Sequence, residues 1–181
     1  MLRTSLTKTI RWLLPLLAFS LAGCGVTQSI TDGTKSVFNG VFYKKIKVLH
    51  LDFTAREALN TDSRESNSLS EPVVVRVYQL KDRKTFDKMV YQQLLRDGDT
   101  ILKADLLASR DIVVKPGGDA NLDMPMEEDA QCVAVVGLFR HPDMVNNTWK
   151  LVIGREDLDP DKARVIEAGH NHLTLQPLKD D

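Results

Sequence analysis

Apolar and polar residues alternate from Lys45 to Phe53, but the phase changes within the run: Ile46 and Val48 share one parity, Leu49, Leu51 and Phe53 the other. Alternation marks a half-buried strand, and the change of phase predicts a β-bulge near Val48 and Leu49. Thr54 to Glu71 carries little apolar content beyond Ala58, Leu59 and Leu69. It reads as a long polar loop, with room for one helical turn at its start. Val73 to Leu80 is a second strand, with Pro72 at its beginning, where a missing N–H does least harm.

Between Asp82 and Arg110 the period lengthens, and Phe86, Met89, Val90 and Leu94 fall on one helical face. Asp97-Gly98-Asp99 interrupts that pattern, and Asp99 is placed to cap a second short helix through Leu106 or Leu107. Strands resume with Ile112 to Val114, a turn at Pro116-Gly117-Gly118, and alternation at Leu122, Met124 and Met126. Gln131 to Arg140 is apolar on both parities, which predicts a central strand covered on one face by the opposite sheet and a candidate for cover by the helices on the other. Trp149, Leu151 and Ile153 form another strand, and Leu173 and Leu175 mark the last. The whole predicts a mostly β domain over residues 41–178, a two-sheet antiparallel sandwich with a small helical insertion at about residues 82–108.

The N-terminus follows other rules. Arg3, Lys8 and Arg11 precede the apolar run Trp12 to Phe19, and Ser20-Leu21-Ala22-Gly23-Cys24 closes it. These are the three regions of a secretory signal, and the run falls far short of the roughly 20 residues that span a bilayer. Leu21-Ala22-Gly23-Cys24 resembles the lipobox of bacterial lipoproteins. That resemblance implies cleavage after residue 23, a diacylglycerol on the Cys24 sulfur and an acyl chain on its new amino group. The alternative is an ordinary signal that happens to end in Cys. Each buried methylene contributes about 0.8 kcal/mol, so three chains anchor where one binds only marginally. In the lipoprotein pattern an Asp after the Cys retains the protein in the inner membrane; here the sorting position is Gly25, which implies the inner leaflet of the outer membrane and a domain facing the periplasm. Residues 24–40 read as a lipidated end and tether, with Ile30, Val37 and Phe38 able to shorten it by packing on the body.

Composition adds two exclusions. The 181 residues hold 24 Lys and Arg against 25 Asp and Glu, so the basic excess that nucleic-acid binding needs is missing. Cleavage would discard three of the cations and leave 21 against 25, a charge of −4. If Cys24 carries lipid, the second cysteine, Cys132, has no disulfide partner, and a buried small hydrophobe is the simpler reading of it than a reactive thiol.

Catalytic chemistry finds little footing. No nucleophile elbow, dinucleotide fingerprint, P-loop or His-Glu-x-x-His occurs. Asp157, Asp159 and Asp161 have the spacing of the first calcium ligands of an EF-hand, but Lys162 stands where Gly is required and Ala168 where the bidentate Glu belongs. His170 and His172 lie two apart, a possible metal pair on one strand face, shared with Thr174 and Gln176. His50 and His141 have no evident partner for nucleophilic catalysis, and capping and solvation account for Asp97, Asp99 and Asp105. The stretch from Thr54 to Glu71 stands out instead, because loops longer than about 12–15 residues are uncommon in compact domains and often functional.

Five segments carry a family resemblance. Val75-Arg76-Val77-Tyr78-Gln79-Leu80-Lys81, Asp105-Leu106-Leu107-Ala108-Ser109-Arg110, Pro116-Gly117-Gly118, Phe139-Arg140 and Trp149-Lys150-Leu151-Val152-Ile153 follow in this order behind the lipobox. Together they resemble the outer-membrane lipoprotein of type VI secretion systems, the TssJ family, also called SciN or Lip, over about Lys45 to Gln176. The chain departs at Gly118, where the family often has an acidic residue. The resemblance implies a transthyretin-like sandwich, no catalysis, and no cofactor beyond the covalent diacylglycerol and N-acyl chain on Cys24. It implies binding to the periplasmic C-terminal domain of the inner-membrane protein TssM and, through it, an indirect link to TssL in the complex that anchors the injection machine. The family's partner-binding element is the loop between the first two strands. Here that loop is Thr54 to Glu71, with Arg56, Glu57, Leu59, Asn60, Asp62, Arg64, Glu65 and Asn67 as candidate contacts. The competing reading is a periplasmic ligand- or metal-binding lipoprotein unrelated to secretion, using His170 and His172.

Overall fold

Leu49, Leu51 and Phe53 alternate with half-exposed residues and are buried, and the strand they belong to, β1, runs from Val48 to Leu59. The computed structural model describes residues 45–62, 64 and 69–178; the signal, Cys24, Gly25 and the tether lie outside them. β1 runs six residues beyond Phe53, where the alternation ends. The stretch Thr54 to Leu59 is strand, not loop or helical turn. It is polar because alternate residues of a sheet whose outer face meets water must be polar; Arg56 on that face pairs with Glu167 at 2.6 Å. The predicted bulge at Val48–Leu49 is also absent, since pairing with β4 (Asp119–Pro125) is unbroken from Val48 to Thr54. Ile46 is buried before the strand begins, which produces the change of phase. A register shift does occur, between Ala55 and Leu59, against β7 (Arg164–His170).

The remaining strands are β2 (Val73–Leu80), β3 (Leu106–Val114), β5 (Cys132–Gly137), β6 (Lys150–Gly154) and β8 (His172–Leu175). They form two four-stranded sheets ordered β4-β1-β7-β8 and β3-β2-β5-β6. β1 and β7 run parallel, and the other neighbouring pairs are antiparallel. Leu49, Leu51, Phe53, Leu122, Met124 and Ile166 of the first sheet meet Val75, Val77, Val133, Val135 and Ile153 of the second in one core. Gln79 is fully buried on the inner parity of β2, and both ends of its amide are satisfied: Nε2 donates to Pro125 O at 2.8 Å, and Oε1 accepts from Glu127 N at 2.8 Å. An unpaired amide there would cost several kcal/mol, on the order of 2–7 by transfer estimates.

The other parity of β2 and β5, with Tyr78, Leu80, Cys132, Ala134 and Val136, is equally buried, as the apolar run through β5 requires. Its cover is α1 (Lys84–Lys88) and α2 (Tyr91–Ile101). Phe86 meets Tyr78 edge-on at 6.4 Å and Tyr91 meets Trp149 at 5.1 Å. Lys150 Nζ caps α1 by donating to Phe86 O, Asp87 O and Met89 O at 3.3, 3.1 and 2.9 Å.

Two expectations for this region change. Val90 precedes α2 and is half-exposed, while its neighbour Tyr91 is buried. Asp99 caps no second helix: α2 bends at Asp97 and continues to Ile101, and Leu106 already pairs with Leu80 in β3. Gly98 serves close approach, because a Cβ there would lie 2.4 Å from Tyr78 Oη.

Candidate functional site

With β1 ending at Leu59 and β2 starting at Val73, the first long loop is residues 60–72. Its neck is built on Asn60, buried and held at φ 51°, a left-handed conformation that Asn tolerates better than most residues. Asn60 Nδ2 donates to Pro72 O at 3.1 Å, across the loop, and Asn60 N donates to His170 O. Glu71 N closes the neck by donating to Leu59 O at 3.1 Å.

The connection from β5 to β6 joins this neck. Arg140 N donates to Asn60 Oδ1 at 2.8 Å, and its guanidinium donates to Asn60 O at 2.8 Å and Leu69 O at 3.2 Å and pairs with Glu71 at 3.2 Å. Next to it, His141 Nε2 lies 2.7 Å from Asp62 Oδ2. Asp62 Oδ1 accepts from Arg64 N at 3.0 Å and Arg64 Nε at 3.1 Å, and Oδ2 accepts from Arg64 Nη2 at 3.2 Å. Chiefly through the Arg64 side chain and then its N–H, these bonds hold the Asp62 carboxyl down at about 2, so it is ionised throughout the neutral range. Asn171, in the β7–β8 turn, donates from Nδ2 to Thr61 O at 2.8 Å.

Three of the predicted contacts, Asn60, Asp62 and Arg64, therefore converge with Glu71, inside the predicted loop but not among its candidate contacts, and with Arg140 and His141, which lie outside it. Arg140 does stand in one of the family segments, but nothing local to it points to residue 60. The other predicted contacts separate. Leu59 is fully buried in the core and presents nothing to a partner. Arg56 and Glu57 lie on β1, not in the loop; Glu57 flanks Gly117, whose φ of 64° and missing Cβ let the β3–β4 turn approach it. Glu65 and Asn67 lie outside the described residues.

The chain enters at the other end of the sandwich. Arg155 Nη1 donates to Glu127 O, Glu128 O and Ala130 O at 2.9, 3.3 and 2.6 Å, and Nη2 reaches Ile46 O at 3.5 Å. Met126 N donates to Lys47 O at 2.9 Å, and Lys45 pairs with Glu128. β1, with 12 residues at about 3.3 Å each, separates this entry from the loop neck by about 40 Å.

Other candidate chemistry dissolves into local structure. His170 ends β7 and His172 starts β8 across a one-residue turn, so they share no strand, and their rings stack at 6.3 Å. Burial first, then His170, lowers the His172 pKa and favours its neutral form. No cluster of three or more metal-ligating residues occurs among the described residues. Asp159 Oδ1 accepts from Asp161 N at 2.7 Å and Lys162 N at 3.0 Å, using the carboxylate within its own turn. Asp105 accepts from Thr85 Oγ1 at 3.0 Å, and His50 pairs with Asp123 at 2.5 Å. Cys132 is a free, buried thiol whose pKa is raised by burial.

Residues 47–176 match the family model described as type VI secretion lipoprotein, VasD, EvfM, TssJ, VC_A0113. The chain belongs to this family. Two solved structures contain chains more than 40% identical to it. One, described as the type VI secretion protein TssM C-terminal domain from EAEC, holds a chain 43% identical at TM-score 0.66; the match covers 74% of this chain and 100% of that one. The other, described as a type VI membrane complex, holds a chain 44% identical at TM-score 0.68, with 74% and 100% covered. The fold is also that of Lip from Serratia marcescens, a membrane-bound component of the type VI secretion system, at 21% identity and TM-score 0.63, over 72% of this chain and 98% of that one. Comparison with curated protein sequences gave no match. No described helix of this type VI secretion lipoprotein is long and apolar enough to cross a membrane.

Proposed function

We propose that this protein is the outer-membrane lipoprotein of a type VI secretion membrane complex, anchored through acylated Cys24, sorted by Gly25, and docking the periplasmic C-terminal domain of TssM at residues 60–72. The observation that carries this reading is the likeness, above 40% identity and over the whole of the other chain, to chains in structures described as the TssM C-terminal domain and the type VI membrane complex. The architecture supports it. Chain entry and loop neck lie at opposite ends of β1, so a tether to a bilayer at one end leaves the other free to meet a partner. The protein binds and positions, and its link to TssL runs through TssM.

The test is binding of purified TssM periplasmic domain to the full chain in detergent micelles, with residues 65–68 replaced by a Gly-Ser segment of equal length. Asn60, Asp62 and Arg64 are retained because they hold the neck together. Loss of binding with an unchanged melting temperature supports the reading, and wild-type affinity contradicts the loop assignment. No observation favours the metal-binding alternative; zinc or calcium raising the melting temperature would revive it.

A further inference from the structure

Val145 is 87% exposed and Met144 is 52% exposed, in a turn where polar residues are the physical norm. This turn cannot fold them inward. Asp143 Oδ1 accepts from Val145 N at 2.9 Å and Asn146 N at 3.0 Å, Oδ2 accepts from Asn146 Nδ2 at 2.7 Å, and Asn147 N donates to Asp143 O at 3.0 Å. The turn is closed on its own backbone with its two apolar side chains held outward. It also belongs to the segment that supplies Arg140 and His141 to the loop neck, with His141 bound to Asp62. On the loop side Leu69 is 70% exposed, and its carbonyl accepts from Arg140 of the same segment.

From this continuity we infer that Met144 and Val145 form a second contact for the partner that docks at residues 60–72. The apolar pair enters a recess on that partner, and the polar side chains around Asp62 and Arg140 form the rim. An apolar centre with a polar, charged border is the usual anatomy of a protein–protein contact. The inference rests on the docking role proposed for the loop. Since the Asp143 bonds hold the backbone that carries the pair, little backbone ordering entropy opposes binding, and its contribution falls mainly on the dissociation rate.

The test measures affinity of the full chain in micelles for the TssM periplasmic domain. Val145→Asp should weaken binding about tenfold or more, Val145→Ile should retain it, and Leu95→Asp, on the exposed side of α2, should leave it within about twofold. Val145→Ser serves if the Asp variant melts early. Wild-type affinity for both Val145→Asp and Val145→Ser overturns the inference; if the 65–68 replacement abolishes binding in the same assay, the loop reading stands without it. Loss of vesicle binding, rather than of partner binding, in Val145→Asp would assign the pair to a lipid surface and also overturn it.

Discussion

Asn60 Oδ1 accepts the backbone N–H of Arg140 at 2.8 Å, while Arg140 returns its guanidinium to the Asn60 carbonyl. This reciprocal pair joins two connections of the sandwich into one surface. The loop of residues 60–72 is then a continuation of the β scaffold at its base.

Asn60 combines a left-handed backbone with a buried, fully used side chain, so two substitutions separate the causes. Asn60→Ala adds strain at positive φ and strands Pro72 O and Arg140 N, and should cost about 2–4 kcal/mol. Asn60→Gly frees the backbone and loses the same bonds, and should cost less. Urea unfolding midpoints measure both; equal costs would show that the backbone conformation carries no strain.

The Asp62 carboxyl sits at about 2 in the folded chain against an ordinary 3.8. A depressed carboxyl stabilises the fold above its unfolded value and ceases to do so as pH falls through the folded one. The loop base should therefore weaken between about pH 4 and pH 2. Asp143 and Glu128 are lowered too, by backbone N–H groups and by Lys45, so the whole chain shares this trend. Asp62→Asn should flatten it, and melting temperatures across that range that parallel wild type would refute the assignment.

Gly98 lies against Tyr78. An added Cβ would fall 2.4 Å from Oη but 3.5 Å from Cζ, so the conflict is with the hydroxyl. Gly98→Ala should destabilise by about 1–3 kcal/mol, and Tyr78→Phe in the same chain should recover most of that loss. Additive costs in a double-mutant cycle would show that α2 shifts rather than clashes.

How much of this was legible depended on whether neighbours in sequence were also neighbours in space. The apolar run of β5 and its buried faces follow from the residues themselves, as do β2, β4 and the helical cover through Phe86 and Leu94. β7 does not stand out in the sequence because its inward residues include a buried Arg164, whose Nη1 and Nη2 donate to Asp157 O and Gln176 O at 2.7 and 3.2 Å. The second half of β1 reads as loop because a polar strand face and a polar loop have the same composition; Glu167, which pairs with Arg56, is 111 residues away. The neck was hidden for the same reason, since Arg140 meets Asn60 from 80 residues on. A long loop does separate β1 from β2, but it is residues 60–72 and not Thr54 to Glu71, because Thr54 to Leu59 belong to the strand.

Anchoring yields two substitutions with opposite fates. Cys24→Ser should abolish palmitate incorporation and release the protein from membranes. Gly25→Asp should keep the lipid and shift the protein to inner-membrane fractions in a density gradient. Labelling of the Ser variant would refute the lipobox, and outer-membrane flotation of the Asp variant would show that sorting is set elsewhere.

The most direct test of the docking account is photocrosslinking in cells that make the whole secretion apparatus, with a photoreactive residue placed in turn at Leu69 and at Glu128. Leu69 stands at the loop end and Glu128 at the end where the chain enters. The account predicts a TssM adduct from position 69 and none from position 128. An adduct from position 128 without one from position 69 would contradict it.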